Sequence, residues 1–138
     1  MIGVLIVAHS DLAKELISAT ELIVGQTELI TSVSVSPKHN VEQLRGQISQ
    51  AIKKVDRGKG VLILTDMFGG TPSNISLSFL EEEKVEVVTG VNLPMMVKAA
   101  TSRNNEKSLK DLARYIAGYG RESIYLASEL LQSKNTKR

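Results

Sequence analysis

Two rhythms of apolar residues alternate along this chain. Ile2 to Val7 is an apolar run interrupted only by Gly3, the pattern of a strand covered on both faces. From Leu12 the spacing lengthens, and Leu12, Leu16, Ile17, Leu22, Ile23 and Val24 make a helical stripe. Ser10 or Asp11 is placed to cap its first turn and Gly25 to stop it. Leu29 to Val35 then alternates apolar and polar residues up to Pro37, which predicts a half-covered strand. Val41 to Val55 predicts the clearest helix, with apolar residues at Val41, Leu44, Ile48, Ala51, Ile52 and Val55. Asn40 and Gln43 form its capping box. After Gly58 and Gly60, Val61 to Leu64 is a second continuous apolar strand. Thr71 as N-cap, with Pro72 as the first helical residue, opens a helix that runs to about Glu82. Val85 to Val88 supplies a fourth strand. Helices follow from about Pro94 to Ala100 and from Ser108 to Ala117, the second with a Ser108/Asp111 capping box. Gly118 and Gly120 break the chain. Ser123 to Ala127 fits a last strand or a helical turn equally well.

Strands that alternate with helices predict an α/β fold, an open doubly wound, mostly parallel sheet with helices on both faces. Strands 1 and 3 are the most apolar and belong in the middle, and the more polar strand 2 belongs at an edge. The expected order is 2-1-3-4, with the topological switch between strands 1 and 3. No internal repeat or linker interrupts the pattern. Residues 1–130 are expected to form one domain and 131–138 a flexible tail, frayed from Lys134 onward.

Composition narrows the function. Of the 138 residues, 42% are hydrophobic and 23% charged, the balance of a soluble globular domain. Tryptophan is absent and aromatics are few, so the core must be aliphatic. The net charge is +2 and the basic residues are scattered, apart from Lys134, Lys137 and Arg138. No stripe suited to nucleic acid is present. The absence of cysteine excludes disulfides, thiolate metal sites and thiol nucleophiles. No signal-peptide pattern opens the chain, and no stretch approaches the roughly 18–20 apolar residues of a bilayer span. A cytoplasmic protein that does not insert in the membrane is expected.

Open parallel sheets bind ligands beyond the carboxyl ends of their strands, at the switch point. Those ends carry His9 after strand 1, Asp66 after strand 3 and the Gly90–Pro94 loop after strand 4. Neighbouring strands lie about 4.8 Å apart, so His9 and Asp66 share one crevice. His9 alone admits three readings: an exposed strand-end side chain, a metal ligand or a nucleophile. Asp66 changes the balance, because a carboxylate that accepts one ring N–H leaves the other nitrogen free and stabilises positive charge on the ring. The turn Gly69-Gly70-Thr71 leads into a helix N-terminus, whose free N–H groups favour an anion. Thr71 adds a hydroxyl, and the backbone N–H groups of Ser10, Asp11 and Gly70 are further expected donors. Such a set suits phosphoryl transfer, which asks mainly for alignment and for donors around the equatorial oxygens. There is no Walker A sequence and no acidic cluster suited to Mg²⁺, so no metal and no cofactor is expected. Met67 and Phe68 are either core or a lip where partners dock. Asn92 either shapes its loop or reaches the rim of the site. Met95 and Met96 read as core, Glu81 to Glu83 as a solvated helix end, and His39 as a solvated residue of the polar turn Pro37-Lys38-His39-Asn40. A signalling receiver domain would instead phosphorylate Asp66, but it needs an acidic pair after strand 1, where His9-Ser10-Asp11 stands. A binding module without chemistry is the other competitor.

The stretches VAHSD, LTDMFGGTPSN and GVNLPM resemble the enzyme IIA domains of the mannose-type sugar phosphotransferase system. The resemblance covers nearly the whole chain, including Gly120-Arg121-Glu122. It implies a phosphocarrier in which His9 takes a phosphoryl group from phosphorylated HPr. The group then passes to a histidine of enzyme IIB, which serves a sugar entering through the membrane components IIC and IID. In that scheme His9 is phosphorylated, Asp66 orients it, and Thr71 places a hydroxyl near the phosphoryl group, where the family often has Ser. Gly69 and Gly70, with Ser10 and Asp11, would surround the phosphoryl group. The family also implies a homodimer in which a C-terminal antiparallel strand, here Ser123 to Ala127, crosses to the partner. Because the chain ends at Arg138, its IIB is expected to be a separate polypeptide. The carrier domain that serves dihydroxyacetone kinase has a similar histidine but lacks GGTP and GVNLPM.

Overall fold

The computed structural model describes residues 1–104 and 107–136. Its elements are β1 (Gly3–His9), α1 (Leu12–Val24), β2 (Ile30–Val35), α2 (Val41–Val55), β3 (Val61–Thr65), α3 (Thr71–Leu77), β4 (Val85–Thr89), α4 (Leu93–Ser102), α5 (Leu109–Glu122) and α6 (Ala127–Thr136). The sheet order is β2-β1-β3-β4 and every neighbouring pair is parallel, as the apolar pattern predicts.

The two central strands are apolar throughout because each face has its own core. Val4, Ile6 and Ala8 of β1 and Leu62 and Leu64 of β3 pack with residues of α1, α4 and α5. Leu5, Val7, Val61 and Ile63 point the other way, into a core completed by α2 and Ile75 of α3. Burying one such side chain contributes about 1.5–3 kcal/mol, so a one-residue slip of β1 would turn both cores inside out. Close packing also explains Gly3, where a Cβ would stand 2.3 Å from the Val55 carbonyl oxygen.

Helix ends follow local chemistry. Asn40 and Gln43 exchange both bonds of the expected capping box, at 2.8 and 3.0 Å. Ser108 Oγ accepts the Asp111 N–H at 3.1 Å. Arg103, almost fully buried, donates Nη1 to the Leu29 carbonyl at 3.1 Å and Nη2 to the Glu28 carbonyl. It thereby holds the turn into β2, where Leu29 adopts a φ of +57°. Burial lowers its pKa, and Glu28 works in the opposite direction.

Four expectations need correction. The N-cap of α3 is Gly70, not Thr71, and the helix stops at Leu77 rather than Glu82. Bonds from Ser78, Phe79 and Leu80 N–H to carbonyls three residues back tighten its last turn and end it. Helix α5 runs through Gly118 and Gly120 instead of breaking there. Gly120 serves packing, since a Cβ on it would come within 2.4 Å of Met95 Sδ. Ser123 caps the end of α5 and α6 begins at Ala127, so Ser123 to Ala127 is not a strand among the described residues. Helix α6 extends to Thr136, in keeping with the good helix formers Glu129, Leu130, Leu131 and Gln132. Lys137 and Arg138 lie outside the described residues.

Candidate functional site

His9 is the last residue of β1 and pairs in register with Val35 of β2. On its other side Val7 is level with Thr65, so Asp66 emerges from β3 beside His9. One carboxylate oxygen, Asp66 Oδ2, accepts two bonds from His9, the backbone N–H at 2.9 Å and ring Nδ1 at 2.7 Å. The other oxygen accepts the Met67 N–H at 2.9 Å. A carboxylate can only accept here, so the network assigns the proton to His9 Nδ1 and leaves Nε2 bare. The His9 side chain is 50% exposed and that of Asp66 only 11%. The ring is therefore half open to solvent while the carboxylate that holds it is enclosed. Partial burial by itself would raise the pKa of Asp66. The His9 N–H, the His9 ring and its charge, and the Met67 N–H outweigh that effect and hold it below the ordinary 3.8.

The turns around His9 are conformationally demanding. Ser10 adopts a φ of +54°, a region that costs a non-glycine residue about 1–2 kcal/mol and is concentrated at functional sites. Its N–H is bonded to the Val35 carbonyl at 2.9 Å. The expected Ser10 backbone donor is thus already engaged, and only its hydroxyl remains available. Asp11 stands at the N-cap of α1 without a side-chain capping bond. Gly69 has a φ of +87°, which glycine adopts without strain. Gly70 gives the imidazole room, since a Cβ there would lie 3.2 Å from His9 Cε1. Asn74 closes the turn, donating its N–H to the Gly70 carbonyl and its amide to the Gly69 carbonyl. The N–H groups of Asp11, Gly70 and Thr71 meet no acceptor among the described residues.

His9 and Thr71 line one cavity of about 490 Å³. Met67 and Phe68 are exposed beside it and belong to the surface, not the core. Asn92 does not join this group. Its carbonyl oxygen caps α4 through the Met95 N–H, its amide donates to the Gly120 carbonyl, and it lines a separate cavity with Arg121 and Ile124. Its amide thus serves a helix cap and a tie between α4 and α5. Conversely, His39, read from sequence as a solvated turn residue, lines the same cavity as His9. The signal was present: His39 follows the carboxyl end of β2, the same end of the sheet that selects His9 and Asp66.

The family model described as "PTS system fructose IIA component", EIIA-man, matches residues 3–117. The mannose-specific EIIAB component of Escherichia coli (strain K12) is 32% identical over 124 residues, covering 89% of this chain but 38% of that protein. The fructose-specific EIIA component of Bacillus subtilis (strain 168) is 31% identical over 137 residues, covering 99% of this chain and 93% of that one. A crystal structure of phosphotransferase system component EIIA from Streptococcus agalactiae superposes with a TM-score of 0.85. It is 29% identical and covers 94% of this chain and 99% of its own.

Proposed function

The chain belongs to the EIIA-man family, the mannose-type IIA components of the sugar phosphotransferase system, and on that premise we propose that His9 is its phosphoryl acceptor. The observation that carries this reading is the ring of His9, held through Nδ1 by Asp66 with Nε2 bare and open. In the step, Nε2 attacks the phosphorus of a protein phosphohistidine. The donor's P–N bond breaks and its electron pair stays on the donor nitrogen. His9 retains the Nδ1 proton, so its ring becomes cationic as it takes the phosphoryl group, and the Asp66 carboxylate stabilises that charge. The free N–H groups of Asp11, Gly70 and Thr71, with the hydroxyls of Thr71 and Ser10 and the backbone at Gly69, are the donors for the phosphoryl oxygens.

The donor in this reading is phosphorylated HPr and the acceptor an enzyme IIB that works with membrane components IIC and IID, the exchange taking place in the cytoplasm. Met67 and Phe68, exposed beside His9, form the apolar lip on which those proteins dock. The exposed Ile124, Tyr125 and Leu126 support a homodimer. Intact mass after incubation with phosphorylated HPr tests the carrier role. The expected result is a gain of about 80 Da, one phosphoryl group, stable in alkali and lost in acid as a phosphoramidate is. An acid-stable or alkali-labile adduct would place the group elsewhere.

A further inference from the structure

A second imidazole borders the cavity that holds His9. His39 lines it together with His9 and Thr71, among largely apolar walls that include Pro37, Val41 and Leu44. His39 Nδ1 lies 3.2 Å from Ser36 Oγ, and that oxygen accepts the Lys38 N–H at 3.3 Å. Ser36 Oγ can accept the Lys38 N–H and still give its own proton to His39 Nδ1. That arrangement leaves Nδ1 without a proton and makes Nε2–H a donor. This N–H has no acceptor among the described residues. On its other side His39 borders a groove lined by Lys14 and Lys54. Neither space has an acidic lining residue. A ring edge without a partner, two lysines in the adjoining groove and no acidic lining residue suit an anion, and His9 lines the same cavity.

We propose that His39 donates its Nε2–H to an oxygen of the phosphoryl group carried by His9. This rests on the phosphocarrier reading and adds a second contact to it. No proton moves in the contact. The P–N bond forms at His9 Nε2 and breaks at the donor nitrogen, and His39 keeps its proton before and after. In this arrangement the two imidazoles play complementary parts, His9 with its proton on Nδ1 toward Asp66 and His39 with its proton on Nε2.

The test uses the full chain with histidine labelled in its ring nitrogens, before and after incubation with phosphorylated HPr. Phosphorus and nitrogen resonances are read together with transfer rates. Phosphorylation of His9 is expected to move the His39 Nε2–H resonance. His39→Ala is expected to slow transfer about tenfold, the loss of one partly solvated donor, and to shift the phosphorus resonance. His39→Gln, which keeps an N–H donor of similar reach, is expected to restore most of the rate. Unmoved His39 resonances in a protein whose phosphorus signal confirms a loaded His9 would overturn the proposal while leaving the carrier reading intact. Equal rates for wild type, His39→Ala and His39→Gln would do the same. Absence of any phosphorus signal in the wild type would overturn both.

Discussion

Replacing Asp66 by asparagine removes one charge and adds one N–H donor at the point where three bonds converge. Asp66 accepts from the His9 backbone, the His9 ring and the Met67 backbone, and an amide has only one oxygen. With its oxygen toward His9, the substituted side chain sets its NH₂ against the Met67 N–H. With its oxygen toward Met67, it faces His9 with donors and favours the tautomer that protonates Nε2. Either orientation strands a donor, at about 1–3 kcal/mol. The second consequence is electrostatic, because the phosphorylated ring is cationic and its counter-charge is gone. Two unit charges about 4 Å apart near a protein surface interact by about 4 kcal/mol. The half-exposed His9 side chain reduces that substantially through solvent screening. Together these predict roughly 2–4 kcal/mol less stabilisation of the transfer step, a rate lower by about 30- to 1,000-fold. Rapid-quench transfer from phosphorylated HPr measures it, with His9 still the labelled residue. An unchanged rate in a folded Asp66→Asn variant would refute the orienting role.

Gly70→Ala places a methyl 3.2 Å from His9 Cε1, so transfer should slow while the unfolding midpoint moves little; urea unfolding beside the transfer assay checks both. Arg103→Met leaves the Glu28 and Leu29 carbonyls without their donor, and chemical denaturation should show a loss of about 2 kcal/mol with the site's chemistry retained. The depressed pKa of Asp66 means that its ionised form is favoured by folding. Its contribution is therefore complete above the unfolded value of about 3.9 and disappears as pH falls through the lower folded value. Urea unfolding of wild type and Asp66→Asn across acid pH should show their difference narrowing below about pH 4; a constant gap would contradict this.

The sheet was legible because its central strands obey a simple physical constraint. Val4 to Ala8 and Val61 to Leu64 are buried on both sides of the sheet, and only an unbroken apolar run satisfies two cores at once. His9 and Asp66 were legible for a related reason, since parallel strands present their carboxyl ends at one crevice. Features set by tertiary contact were harder to read. Gly120 reads as a breaker, yet it lies inside a continuous helix with the Met95 side chain packed against it. The engagement of Ser10 N–H by Val35 depends on the β1–β2 register, which no local motif encodes. The tie of Asn92 to Gly120 likewise depends on how α4 packs on α5. His39 stands in a polar turn, and the path of the chain after Pro37 brings that turn to the His9 cavity.

The central claim is that the bare Nε2 of His9 carries the phosphoryl group. Its most direct measurement is intact mass with site mapping of wild type and His9→Ala after exposure to phosphorylated HPr. The wild type is expected to gain about 80 Da on His9, and the folded His9→Ala variant is expected to gain nothing. A His9→Ala protein that still acquires the phosphoryl group would contradict the account.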